Sequence, residues 1–358
     1  MRRLRVGVVG LEHYHVTGWV ESLEYFSDQA EIVALYDPNP ALGERLAPTH
    51  HDPHLSPALD PRYRAVPFVT DLEALIRDYQ LDLALVTLPN NAAPAAIERL
   101  ARAGIHLLVD KPAARTAAEA ERAFAAARAA GVKVAVGLTK RYGRGWQDAR
   151  QMVASGHLGR LLSTEAIFVT SSVRVRDPAN QIFDRERSGG GVLHWLGVHD
   201  LDMLLWLTGD RIVEVQAMAG TVSGEPIEVE DVISLAVRYA SGAIGTVHYA
   251  YALPRPVGEG YLALRGSKGS VKILPNGNLS WIGPGSVSDP VMAQEMTYTT
   301  APFRGYGPGG VAVIADLLAA IAEDRDPLAP GEALVEALRI IDAAYESART
   351  GTRVRVGG

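Results

Sequence analysis

Two stretches of the chain carry side chains suited to moving protons. The first is Asp110-Lys111-Pro112, directly behind the apolar run His106 to Val109. Lys111 is one of only five lysines, while 30 of the 35 basic residues are arginine. Where a cation alone is needed this chain uses arginine, so Lys111 marks a place for a compact ammonium or one whose pKa can shift. The second stretch runs from Ser188 to Asp202. Its three glycines, Gly189 to Gly191, are expected to leave backbone amides open at the start of an amphipathic helix. Trp195, His199, Asp202 and Trp206 then share one helical face. Asp202, three residues past His199, is placed to orient the imidazole, and a histidine titrating near neutrality suits the removal of a hydroxyl proton. His194 falls with Val198, Leu201 and Leu205 on an apolar stripe, the place of a core or capping histidine.

A third stretch is suited to binding an anion. Leu4 to Val9 reads as a buried strand, and Gly10-Leu11-Glu12-His13-Tyr14-His15 forms the turn behind it. Gly10 supplies the tight-turn glycine of a dinucleotide fingerprint, but Glu12 and His15 occupy its second and third glycine positions. A carboxylate at Glu12 is expected to repel a pyrophosphate at the helix start and so to weaken binding. His13 and His15 flank the turn, facing a cofactor or serving the helix start. Asp37 ends the second strand, where a ribose-binding acid belongs. It is followed by Pro38 and Asn39 rather than by arginine, which favours NAD over NADP. His50, His51 and His54 lie in the Pro- and His-rich loop Ala47–Pro61 and read as solvated. No metal site is expected, because no carboxylate or thiol frame surrounds them.

The elements that position these groups follow from periodicity. Near-continuous apolar runs at Leu4 to Val9, Glu31 to Tyr36, Leu83 to Thr87, His106 to Val109 and Val132 to Val136 suit a parallel sheet covered on both faces. Capping boxes at Thr70/Glu73 and Thr116/Glu119 start intervening helices, and Gly104 and Gly131 end them. The first half is therefore a doubly wound α/β domain over residues 1–140. Residues 141–358 form an α+β domain with a large, mostly antiparallel sheet. Its expected strands are Leu161 to Val173, Ile212 to Val222, Val232 to Tyr239, Ala243 to Tyr251, Tyr261 to Arg265 and Ser270 to Leu274. Helices at about 192–207, 311–323 and 332–349 cover one face, and 275–308 is read as irregular.

Composition narrows the function. The 358 residues carry a net charge of −6, 47% hydrophobic and 21% charged residues, an ordinary globular balance. A net acidic chain does not suit a nucleic-acid or anionic-membrane partner. The absence of cysteine excludes disulfides, thiolate metal sites and cysteine nucleophiles. With no signal-type segment and no long apolar run, the chain reads as cytoplasmic.

At these residues the chain resembles the Gfo/Idh/MocA family, the glucose–fructose oxidoreductase and inositol dehydrogenase type, over nearly its whole length. The first strand and turn look like the family's start. Leu88-Pro89-Asn90, behind Thr87, looks like its T-P-N cofactor segment, and Asp110-Lys111-Pro112 looks like E-K-P. Arg141-Tyr142 resembles the segment entering the second domain, and Gly189 to His199 resembles G-G-G-x-L-x-D-x-G-x-H. Gly266 to Ser270 resembles a G-x-x-G-[ST] turn, and Ile314 through Ala348 looks like paired C-terminal helices. The resemblance implies a Rossmann-type domain and an NAD-dependent oxidoreductase acting on a sugar, polyol or related hydroxylated small molecule. Lys111 would polarise the substrate hydroxyl, and His199 would take its proton as hydride leaves for nicotinamide, both in one cleft. Gly10, Leu11, Glu12, Asp37, Thr87 to Asn90, Asp110 and Lys111 would serve the cofactor. Arg141, Tyr142, His194, Trp195 and Asp202 would serve the substrate. The family's aspartate falls at Trp195, which cannot exchange a proton. That substitution and Glu12 support one alternative, a sugar- or nucleotide-sensing protein without catalysis. A second alternative is an NAD-assisted redox-neutral enzyme, which tightly bound NAD without net reduction would favour. A homo-oligomer, dimer or tetramer, is expected.

Overall fold

The computed structural model describes residues 2–44, 63, 65–174, 176–253, 258–283, 293–298 and 304–357. The loop Ala47–Pro61, with His50, His51 and His54, lies outside them. The chain divides into two compact units. The first comprises residues 1–139, 186–189 and 302–335, and the second comprises 140–185, 190–301 and 336–358.

The first unit is built on a six-stranded sheet of β1 (Leu4–Val9), β2 (Ala30–Tyr36), β3 (Phe68–Val69), β4 (Leu83–Val86), β5 (His106–Val109) and β6 (Val134–Val136). Every pairing is parallel, in the order β3-β2-β1-β4-β5-β6. Parallel strands need crossovers, and the helices His15–Leu23, Leu72–Tyr79, Ala93–Arg102 and Ala117–Ala129 supply them. Val6, Val8, Leu85, Leu107 and Val136 are almost wholly buried, as strands covered on both faces require. Thr116 caps its helix as expected, accepting the Glu119 N–H at 3.2 Å. At the helix beginning at Leu72 the expectation is corrected. Asp71, not Thr70, is the cap, its carboxylate accepting the Glu73 N–H at 3.0 Å. Gly104 and Gly131 take left-handed φ of 78° and 68° behind their helices, as C′ glycines do.

The second unit holds a nine-stranded sheet of β7 (Leu161–Val169), β8 (Ile212–Gly220), β9 (Val232–Tyr239), β10 (Ile244–Ala250), β11 (Glu259–Gly266), β12 (Ser270–Ile273), β13 (Leu279–Ile282), β14 (Ala293–Met296) and β15 (Val354–Arg355). Its order is β14-β13-β12-β11-β7-β10-β9-β8-β15. All neighbours are antiparallel except β7 and β10. Burial alternates along β9, with Ile233, Leu235, Val237 and Tyr239 inward and Ser234, Ala236 and Arg238 outward, the mark of a sheet covered on one face. The helices Arg144–Ala154 and Val198–Thr208 pack on each other, the first also on β12 and the second on β7. The segment 275–308 is not wholly irregular, since it carries β13 and β14. Strands of four residues with one exposed face give too short a pattern to read.

Candidate active site

Three strand ends form the floor of a site in the first unit. Val9, Val86 and Val109 are in register across β1, β4 and β5, so Gly10, Thr87 and Asp110 stand in a row past the carboxyl edge. The Thr87 and Asp110 N–H groups prolong the ladder to Val9 O and Val86 O, both at 2.8 Å. The strand order reverses between β1 and β4, where open α/β sheets leave a ligand crevice. Gly10 has φ 102°, and a Cβ there would stand 2.5 Å from Leu88 N. Only glycine lets the two turns meet, and Thr87 Oγ1 closes the contact by donating to Gly10 O at 2.6 Å. Thr87 to Asn90 are buried throughout.

Asp37 lies beside this row and is 3% exposed. Its two oxygens accept the Leu11 N–H at 2.8 Å and the Asn39 N–H at 2.9 Å. Burial pushes its carboxyl above the usual range. The two N–H bonds oppose that shift, Glu12 adds to it, and Arg187 lowers it.

Arg187 is one group that sequence reasoning missed. Its Nη1 and Nη2 donate to Glu12 Oε1 and Oε2 at 2.9 and 2.5 Å, a bidentate pair in which each side chain is 32% exposed. The expectation that Glu12 presents an uncompensated charge at the turn is therefore corrected, because a guanidinium neutralises it. The expectation that Asp37 has no arginine near it holds along the sequence but not in space. The segment 186–189 brings Arg187 close enough to act on Asp37. Asn90 Nδ2 donates to Ser188 O at 2.7 Å and Asn91 N–H to Arg187 O at 3.1 Å, so the strand-end turn behind β4 fixes that segment.

At the third strand end, Asp110 is 8% exposed and Lys111 6%. His15 Nδ1 donates to Asp110 Oδ2 at 2.7 Å and Trp19 Nε1 to Oδ1 at 2.9 Å. Burial by itself would raise this carboxyl. His15, Lys111 and His13 outweigh it and hold the group well below the usual carboxylate range. An ionised Asp110 thus sits beside Lys111, whose bond to Pro112 is cis. The ligand-type atoms of His13, His15 and Asp110 lie within 4.8 Å of one another, but both Asp110 oxygens are already engaged by His15 and Trp19. Tyr306 closes the cluster, its ring 5.2 Å from His15 and 4.6 Å from Trp19.

In the second unit the glycine-rich start is not open. Gly191 N–H and Leu193 N–H donate to Glu230 at 2.8 and 3.1 Å, and Tyr345 Oη donates to the same carboxylate at 2.9 Å. A Cβ on Gly190 would meet Tyr345 Oη at 2.1 Å, and one on Gly191 would meet Glu230 O at 1.9 Å. These glycines serve close packing, and a buried acid caps the amides expected to be available. The helix also begins with a π turn, Leu193–Gly197, before the regular helix Val198–Thr208. The wider turn departs from the regular helical spacing expected between Trp195 and His199. His194 is fully buried, Trp195 is 6% exposed, and His199 and Tyr142 are half-buried.

Spacing pointed to His199 as the partner of Asp202. The structure places Arg141 on that carboxylate, with Nε and Nη2 at 3.0 and 2.6 Å. Asp202 is 1% exposed, and burial raises its carboxyl although Arg141 pulls it down. Asp200 next to it accepts hydrogen bonds from Lys140 and Tyr249.

Residues 4–138 match a family model described as an oxidoreductase family with an NAD-binding Rossmann fold, and residues 146–272 match the GFO/IDH/MocA C-terminal domain. The chain belongs to the Gfo/Idh/MocA family of oxidoreductases. Levoglucosan dehydrogenase of Pseudarthrobacter phenanthrenivorans is 24% identical over 269 residues, 69% of this chain and 67% of that protein. A myo-inositol dehydrogenase of Streptomyces leeuwenhoekii is 34% identical over 142 residues, 40% of this chain and 42% of that one. The chain spans about half the length of several further curated relatives. A solved structure of levoglucosan dehydrogenase in complex with NADH and levoglucosan shares the fold. Its TM-score is 0.83 and its identity 21%, covering 99% of this chain and 100% of that one.

Set beside the family's pattern, two residues were not legible in the sequence. Arg187 lies 175 positions from Glu12, and Glu230 lies 39 positions from Gly191. The one local sign of Glu230 is an acid placed where β9 is about to begin.

Proposed function

We propose that this Gfo/Idh/MocA member is an NAD-dependent oxidoreductase that moves a hydride between nicotinamide and a sugar, polyol or related hydroxylated small molecule. The observation that carries the reading is the buried Lys111 beside an ionised Asp110 at the end of β5, one strand from the crevice at β1 and β4. The residues present fit a dinucleotide. Gly10 admits no Cβ, Thr87 to Asn90 line the neighbouring strand end, and Asp37 stands at the end of β2. Bound nicotinamide supplies a hydride acceptor. The chain's own residues do the rest: the Lys111 ammonium donates to the substrate oxygen, Asp110 keeps that charge in place, and His199 takes the hydroxyl proton. Arg141, Tyr142, His194, Trp195 and Asp202 form the substrate side of the proposal, with Trp195 an apolar wall.

The preference for NAD over NADP rests on the buried Asp37 carboxylate, which a 2′-phosphate would face at close range. A homo-oligomer in the cytoplasm completes the proposal. No described helix is long and apolar enough to cross a membrane. The test is a panel of sugars and polyols followed by nicotinamide absorbance, with NAD and NADP affinities compared by calorimetry. Turnover with NAD on at least one hydroxylated compound is expected, and equal or tighter NADP binding would overturn the cofactor preference.

A further inference from the structure

We propose that Arg187 is a phosphate ligand of the dinucleotide site, and that Glu12 is the resident anion it gives up when the dinucleotide enters. This rests on the dinucleotide-binding reading above and adds a residue to it. A turn with Glu12 and His15 in place of glycines offers less backbone amide to a pyrophosphate, so the charge has to be met from elsewhere. Arginine's planar fork accepts carboxylate and phosphate oxygens with the same two-bond geometry. In this structure it holds a carboxylate at the second fingerprint position. The pair stands beside Asp37, whose carboxyl feels both charges, and Leu11, next to Glu12, donates to that same carboxylate.

Arg187 is built to stay when Glu12 leaves. Three successive carbonyls of its segment are held from within the same unit: Glu186 O by Arg115 Nη1 at 3.3 Å, Arg187 O by Asn91 N–H at 3.1 Å and Ser188 O by Asn90 Nδ2 at 2.7 Å. The Glu12–Arg187 pair is bidentate but a third exposed on both sides, so solvent screening offsets part of its strength and a competing anion can reach it. A pyrophosphate brings two negative charges where Glu12 brings one, and Glu12 can turn into solvent. The exchange replaces one charge-assisted pair by a stronger one, with no buried charge left alone.

The experiment measures binding of ADP-ribose, which carries the pyrophosphate without nicotinamide, and of adenosine, which has no phosphate. The full chain is compared with Glu12→Gln, Arg187→Lys and Arg187→Ala, and the melting temperature of each variant is recorded. Arg187→Ala is expected to weaken ADP-ribose by about tenfold or more, with Arg187→Lys in between, and Glu12→Gln is expected to tighten it by about threefold to tenfold. Adenosine affinity stays unchanged in all. ADP-ribose affinity within about twofold of the parent in Arg187→Ala and Arg187→Lys would overturn the proposal. So would a Glu12→Gln variant weakened as much as Arg187→Ala, since the pair would then be fixed architecture. A parent chain that binds neither ADP-ribose nor NAD would instead bring down the dinucleotide reading itself, and this proposal with it.

Discussion

His15 Nδ1 and Asp110 Oδ2 lie 2.7 Å apart across a sequence separation of 95 residues. The contact ties the first turn of the Rossmann unit to the strand end that carries Lys111. It also sets a sign for acid stability. The Asp110 carboxyl is held below its ordinary value by His15, Lys111 and His13 despite burial. A depressed folded-state pKa stabilises above the unfolded value, about 4, and that contribution is lost as pH falls below it. Urea midpoints at pH 7 and across pH 5 to 3 should therefore drop more steeply in the parent than in Asp110→Asn. The variant should also be less stable at pH 7 by about 1–3 kcal/mol, the scale of an interrupted buried network. Parallel pH curves for the two proteins would contradict the assignment.

The buried Arg141–Asp202 pair makes the opposite prediction. Arg141→Ala leaves an unpaired buried carboxylate and should cost about 3–5 kcal/mol. The Asp202 carboxyl is already raised by burial, and without the guanidinium it rises further. A raised folded-state pKa favours the fold at low pH, and that advantage is lost as pH climbs through it. The Arg141→Ala defect should therefore be largest near neutrality and shrink toward pH 5. Replacing both partners, Arg141→Met with Asp202→Leu, should recover most of the loss. A double variant as unstable as the single one would show that the pair is not the source of the defect.

Glycines of different kinds should respond differently to alanine. Gly191→Ala drives a Cβ into the Glu230 backbone carbonyl at 1.9 Å, which cannot yield like a side-chain tip. A loss of about 1–3 kcal/mol or more is expected from overpacking. Gly104 has nothing within 4 Å of the added atom, only a φ of 78°. Its alanine variant should lose about 1–2 kcal/mol, the cost of the left-handed conformation. Calorimetric melting of both variants decides this, and a Gly104→Ala loss larger than that of Gly191→Ala would refute the packing account.

Much of the first unit was legible because its strands are buried on both faces and write continuous apolar runs. β5 is found at the expected residues, His106–Val109. The two-residue strands β3 and β15 are too brief for any period to show, and the four-residue β13 and β14 lack the continuous apolar run that reveals the equally short β5. The π turn at Leu193–Gly197 was hidden for another reason. Its residues fit a regular amphipathic helix equally well, and the tight seats of Gly190 and Gly191 against Tyr345 and Glu230 are tertiary. The site divides the same way. Gly10, Asp37, Asp110 and Lys111 announce themselves by their place at strand ends. Arg187, Glu230 and the partnership of Arg141 with Asp202 depend on chain returns that no local spacing encodes.

The most direct test of the account is Lys111→Met, assayed for NAD binding by calorimetry and for nicotinamide reduction on a sugar or polyol that the parent turns over. The account predicts turnover lower by about 10²-fold or more, a loss larger than any accompanying loss of NAD affinity. A Lys111→Met protein that oxidises the same compound at the parent's rate would contradict the central assignment.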